Sequence, residues 1–151
     1  MPALSLGAAE VTPLEIAVAY ATLANGGSRV RPLAVKQVLD QSTKVLEKRD
    51  VKMEQVLNAQ LAFAINQLLK GVLDRGTGAM ARRAGFTRPA AGKTGTTNDY
   101  KDAWFVGYTP DLLAVVWVGF DGPKKIGLSG AEAALPIWTE FMKNATASMP
   151  V

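Results

Sequence analysis

Three strand-like runs joined by connectors too short to hold a helix constrain this chain most. They are Ala91–Thr96, residues 102–108 and residues 113–119. Thr97, Asn98, Asp99, Tyr100 and Lys101 join the first two, and Thr109, Pro110 and Asp111 join the last two. A parallel pair of strands needs a crossover of roughly a dozen residues, so neighbouring runs are expected to pair antiparallel. Asp121, Gly122 and Pro123 then end the sheet.

Helical signals flank this block. Thr12, Pro13 and Glu15 form a capping-box start, with proline at the first helical position. The helix is expected over residues 12–24 and to stop at Asn25, Gly26 and Gly27. Leu14, Ile16, Val18, Tyr20 and Leu23 surround it, so burial on several sides is expected. Residues 33–39 and 44–48 read as a surface hairpin. A second helix is expected over residues 58–72, with Leu61, Ile65, Leu68 and Val72 on one face. Gly76, Thr77 and Gly78 break it, and a short helical turn follows before Gly85. A last helix begins near residues 131–136 and carries Trp138, Phe141 and Met142 as a stripe. The expected class is α+β, an antiparallel sheet with packed helices. The sequence has no internal repeat or linker, and 48% of its 151 residues are hydrophobic, so residues 1–151 read as one unit with a core. No apolar run approaches the ~20 residues of a membrane span, and no signal peptide is visible after Met1.

The chain has neither cysteine nor histidine. Disulfides, thiolate nucleophiles, Cys/His zinc sites and a Ser-His-Asp triad within the chain are therefore excluded. Acid–base work falls to Lys, Asp, Glu or Tyr. The net charge is +4, with Arg82, Arg83, Arg88 and Lys93 in its basic cluster. No nucleic-acid motif accompanies that charge, so nucleic acid is not an expected partner. A solvated surface and a site for an anionic substrate both fit it.

The segment Gly92, Lys93, Thr94, Gly95, Thr96, Thr97 has the chemistry of an oxyanion and carboxylate site. Residues two apart on a strand face the same way. Thr94 and Thr96 then present two hydroxyls on one side, while Lys93 and Gly95 share the other. Lys93 supplies positive charge, Gly95 leaves room, and an edge strand offers free N–H groups to an oxyanion. A phosphate loop is excluded, because Thr87 stands where the Walker pattern needs its first glycine. By itself the Lys-Thr-Gly triplet is weak evidence and fits an ordinary strand start with a surface lysine better. Trp104, Phe105, Tyr108 and Trp117 read as core and sheet-packing residues, and Asp99 and Asp102 as turn and strand-start residues. No third ligand is spaced to join those two aspartates, so no metal is expected. Asn98 and Tyr100 stand where a loop at the strand end can line a cleft.

The run from Ala91 to Asp111 closely resembles the third-to-fourth strand segment of class A penicillin-binding proteins. Residues 115–121 are similar to their next strand, and residues 10–15, 19–21 and 24–27 to the helix that precedes them. Gly76, Thr77 and Gly78, and the stretch from Ala134 to Trp138, fall in family order. The resemblance implies part of a β-lactamase/transpeptidase-like fold and a DD-transpeptidase that cross-links peptidoglycan stem peptides by serine acyl transfer. The implied partners are the D-Ala-D-Ala stem peptide and β-lactams, with no metal or organic cofactor. The implied place is the outer face of the cytoplasmic membrane, by an anchor outside this sequence. Of the family's motifs S-x-x-K, S-x-N and K-T-G, the last maps onto Lys93, Thr94 and Gly95. Lys93 and the N–H of Thr96 are then catalytic, and Thr94, Gly95, Thr96 and Thr97 bind substrate, with Asn98 and Tyr100 beside them.

None of Ser5, Ser28, Ser42, Ser129 and Ser148 carries the S-x-x-K or S-x-N spacing, so the chain holds no nucleophile of that type. In the family both motifs precede the segment resembling residues 10–27. The sequence is therefore expected to be a C-terminal portion, truncated near its start, inactive alone and prone to self-association. A non-catalytic binding or regulatory module of the same fold, and a carboxypeptidase or β-lactamase relative, remain alternatives at this level.

Overall fold

A computed structural model describes residues 10–150. Helix α1 (Pro13–Ala24) starts as expected: Glu15 N–H donates to Thr12 Oγ1 at 3.3 Å and Thr12 N–H to Glu15 Oε2 at 2.7 Å. Gly26 and Gly27 follow with φ of +62° and +93°. A Cβ on Gly27 would lie 2.1 Å from the Leu57 carbonyl oxygen, so glycine is required where these backbones touch. That approach starts a two-stranded sheet, β1 (Ser28–Val30) with β4 (Met53–Gln55), which encloses the expected hairpin of β2 (Gln37–Leu39) and β3 (Val45–Lys48). The outer pair has no readable pattern in sequence. Each strand is three residues long, and residues of β4 are exposed throughout.

Asn58 caps α2 (Ala59–Arg75), its side chain accepting from Gln60 and Leu61 N–H. The short α3 (Ala79–Arg83) follows the glycine break. The main sheet is β5 (Ala91–Thr96), β6 (Ala103–Tyr108) and β7 (Leu113–Val118), antiparallel in the order β5-β6-β7. Strand β5 is therefore an edge. Helix α4 (Ala134–Ala145) completes the described chain.

Two clusters sandwich this sheet. On one face Phe105 and Ala103 meet Leu73, Ala81, Phe86, Leu135, Trp138 and Met142. Trp138 is fully buried, edge-on to Phe86 at 5.1 Å and to Phe105 at 4.9 Å, and its Nε1 donates to the Gly107 carbonyl at 3.1 Å. A Cβ on Gly107 would sit 2.5 Å from the indole, so the strand is bare where the ring lies on it. On the opposite face Ala91 and Tyr108 pack with Leu69, and Tyr20, Leu23 and Ile65 cover them. The sheet is thus held between α1 on one side and α3 and α4 on the other, while α2 lies against β5 and contributes Leu69 to one cluster and Leu73 to the other.

Three packing expectations need correction. Helix α1 fully buries only Thr22, and Leu14 is 60% exposed; most residues from Ile16 to Leu23 are half-buried against β1, β6, β7 and α2, so the helix is partly covered and not enclosed. Helix α2 buries Ala62, Leu69 and Leu73 and leaves Leu61 and Leu68 exposed. Its inner stripe is turned by one residue because β5 and α3 claim the side carrying Leu73. In α4, Leu135, Trp138 and Met142 point inward while Phe141 is exposed. Phe105 and Tyr108 are buried as expected, whereas Trp117 is exposed and stacks obliquely on Trp104, 6.1 Å away, on the outer end of the sheet.

Tyr108 makes the second cluster pH-sensitive. Its hydroxyl donates to Asn66 Oδ1, and burial, helped by Tyr20, pushes its pKa up from 10 to about 12. The unfolded chain ionises near pH 10 while the folded chain stays neutral, so stability present below pH 10 is lost as pH rises toward about 12. Thermal melts between pH 9 and pH 12 should show a smaller alkaline loss for Tyr108→Phe than for the unaltered chain. Equal losses would contradict this role.

Candidate active site

Strand β5 presents its residues in the alternation expected from their spacing. Lys93 stands opposite Val106 and Gly95 opposite Trp104, while Thr94 and Thr96 stand opposite Phe105 and Ala103. The two threonines therefore share the α4 side, and Lys93 and Gly95 the α1 side. Lys93 is exposed, and its Nζ donates to the Thr94 carbonyl at 2.7 Å. A strand with one neighbour leaves alternate backbone groups unpaired along its free edge.

Both threonine hydroxyls are held by other segments. Thr94 Oγ1 lies 2.8 Å from Thr77 Oγ1, in the turn between α2 and α3. Thr96 Oγ1 accepts the Gly130 N–H at 3.0 Å. Gly130 is buried, and a Cβ there would lie 2.4 Å from the carbonyl oxygens of Gly95 and Trp104. Only glycine lets this loop reach the strand. Ser129 fixes the loop from behind, its hydroxyl and N–H donating to Glu132 Oε2 at 2.6 Å and 2.9 Å. Those bonds, the hydroxyl first, hold the Glu132 carboxyl below its usual range.

Beyond Thr96 the chain turns tightly. Asp102 N–H donates to Thr97 Oγ1 at 2.8 Å, Thr97 Oγ1 donates to Asp102 Oδ2 at 3.1 Å, and Trp117 Nε1 donates to Asp102 Oδ1 at 2.9 Å. The Thr97 hydroxyl thus closes the turn, and Asp102 is its anchor. Asn98–Tyr100 form one 3-10 turn in which Asp99 and Tyr100 have φ of 66° and 55°. The N–H groups of Ile126 and Gly127 clamp the Tyr100 carbonyl at 2.9 Å and 3.2 Å, and Lys125 pairs with Asp99 at 3.3 Å. Asn98 and Tyr100 are exposed beside the end of β5. Left-handed backbone at non-glycine residues costs energy, so the surrounding bonds hold this loop.

Thr77, Asp102 and Gly130 are the contributors that motif reading passed over. The glycines on both sides of Thr77 and the Ser129-to-Glu132 spacing were the available signals. Among the described residues, the hydroxyls of Ser28, Ser42 and Ser129 donate to Gln55, Asp40 and Glu132, and none is bonded to a lysine. The arrangement offers one ammonium, several hydroxyls and a strand edge to an anion.

The family described as penicillin binding protein transpeptidase domain matches residues 2–143. The chain is 43% identical over 150 residues to penicillin-binding protein 1A of Aquifex aeolicus, covering 97% of this chain and 20% of that protein. It superposes on the crystal structure of penicillin-binding protein 1A from Haemophilus influenzae with a TM-score of 0.91 at 30% identity, over 99% of this chain and 28% of that one. Penicillin-binding protein A from Mycobacterium tuberculosis, solved as an imipenem acyl-enzyme complex, matches at a TM-score of 0.67 and 26% identity, over 89% of this chain and 31% of that one. The chain belongs to the penicillin-binding protein transpeptidase domain family, and its mixed fold is that of the family. It spans about a fifth of the length of the curated relative from Aquifex. Among the described residues no helix is long and apolar enough to cross a membrane.

Proposed function

We propose that this chain is the C-terminal portion of a peptidoglycan DD-transpeptidase and supplies its K-T-G strand. Lys93 stabilises negative charge and assists proton movement, while Thr94 and Thr96 bind the substrate carboxylate. The N–H of Thr96 is half of the oxyanion hole. Gly95 gives the acyl group room, and Thr97, Asn98 and Tyr100 form the cleft wall beyond the strand. A serine outside this sequence attacks the D-Ala-D-Ala carbonyl, expels the terminal D-Ala, and passes the acyl group to an amine of a neighbouring strand. β-Lactams acylate the same serine. The enzyme works at the outer face of the cytoplasmic membrane.

One observation carries this reading: both hydroxyls of an exposed edge strand are held in position by separate segments, next to a lysine on that strand. Structural threonines on a sheet edge need no such support. Leu14 on α1 and Leu61 and Leu68 on α2 stand exposed, apolar side chains available to the serine-bearing segment and, without it, to a second copy.

Thr94→Val and Thr96→Val test the carboxylate role, because each keeps the branched shape and removes the hydroxyl. In an enzyme joining this chain to its serine-bearing segment, either change should weaken penicillin recognition about tenfold or more. The melting temperature should move much less. Parallel losses in folding and recognition would favour simple strand packing.

A further inference from the structure

We propose that Thr77 is a positioning residue of the carboxylate site, orienting the Thr94 hydroxyl toward the ligand. The proposal rests on the carboxylate reading of β5 and adds a residue from outside that strand. A carboxylate only accepts hydrogen bonds, so protons must point at it. Thr96 Oγ1 already accepts the Gly130 N–H, which leaves its own proton available. The Thr77 and Thr94 hydroxyls, 2.8 Å apart, spend one proton on each other and keep one. Three hydroxyls therefore offer two protons, one for each carboxylate oxygen. An anion beside Thr94 draws the Thr94 proton to itself, so Thr77 must be the donor to Thr94 Oγ1.

The turn that carries Thr77 is built to hold it there. Gly76 and Gly78 N–H both donate to the Val72 carbonyl, at 3.1 Å and 2.9 Å. A Cβ on Gly76 would lie 2.9 Å from Val72 Cα, and one on Gly78 would lie 3.2 Å from the Val72 carbonyl oxygen and from Leu73. Glycine on both sides lets α2 end in a turn tight enough to bring a hydroxyl against β5. Thr77 is exposed, so water would satisfy its hydroxyl without Thr94. Desolvation therefore does not account for the pair, whereas alignment of the Thr94 proton does.

The test compares benzylpenicillin with its methyl ester in an enzyme containing this chain and its serine-bearing segment. Acylation is resolved into the non-covalent binding constant and the covalent step. Thr77→Val should reduce the preference for the free acid over the ester about tenfold, mainly in the binding constant. Thr77→Ser should restore it. An unchanged preference in Thr77→Val, with a reduced one in Thr94→Val, would overturn the proposal and leave the β5 reading standing. An unchanged preference in both variants would overturn the carboxylate reading itself. Equal slowing with acid and ester, not rescued by serine, would make Thr77 a structural strut and also overturn it. If Thr77→Val does not fold, Thr77→Ala is read by the same ratio against Thr77→Ser.

Discussion

Trp138→Ala is expected to destabilise the fold by about 3–5 kcal/mol, the usual cost of emptying a buried tryptophan site. Trp138 has no exposed surface and touches Phe86 and Phe105 edge-on. It also gives the Gly107 carbonyl its indole N–H. The change opens a cavity between sheet and helix and removes that bond. A loss of this size should lower the melting temperature by roughly 10 °C for a chain of this length. Trp138→Phe should cost less, since most of the ring contact survives. Calorimetry showing a shift of only a degree or two for Trp138→Ala would mean that α4 does not anchor the sheet. The site would then lose its support as well, because the loop that grips Thr96 leads directly into α4.

Lys93→Ala is expected to slow acylation by both stem peptide and β-lactam by ~10²-fold or more, the usual effect of deleting a group that stabilises developing negative charge. The side chain is exposed, and its one hydrogen bond is to the neighbouring Thr94 carbonyl. Folding should hardly change, so kinetics and stability separate. Single-turnover acylation with a fluorescent penicillin reads the effect. Unchanged rates would remove Lys93 from the mechanism.

The main sheet was legible because its connectors leave no room for another topology. The register of Lys93 on Val106 and of Gly95 on Trp104 follows from that hairpin. The capping box at Thr12 marked the start of α1 to the residue. Partnerships over long separations were not legible. Pairing of β1 with β4 is decided by the close approach of Gly27 to Leu57, thirty positions away. The inner face of α2 is decided by neighbours that press on Leu69 and Leu73, while its own spacing permits two stripes. At the site, the strand showed its hydroxyls but not what holds them. Thr77 and Gly130 come from segments seventeen and thirty-four positions away from Thr94 and Thr96. In sequence Trp117 signals packing alone, yet its indole N–H fixes Asp102 and so the turn after β5.

Intact-mass spectrometry with a β-lactam tests most directly whether this chain is the K-T-G portion of a transpeptidase whose nucleophile lies elsewhere. Alone, residues 1–151 should show no specific adduct, since no serine has the S-x-x-K spacing. Joined to the serine-bearing segment, the protein should gain one penicilloyl group per molecule, on a peptide outside these residues, and Lys93→Ala should suppress it. A stoichiometric adduct on Ser5, Ser28, Ser42, Ser129 or Ser148 of the isolated chain would contradict the account.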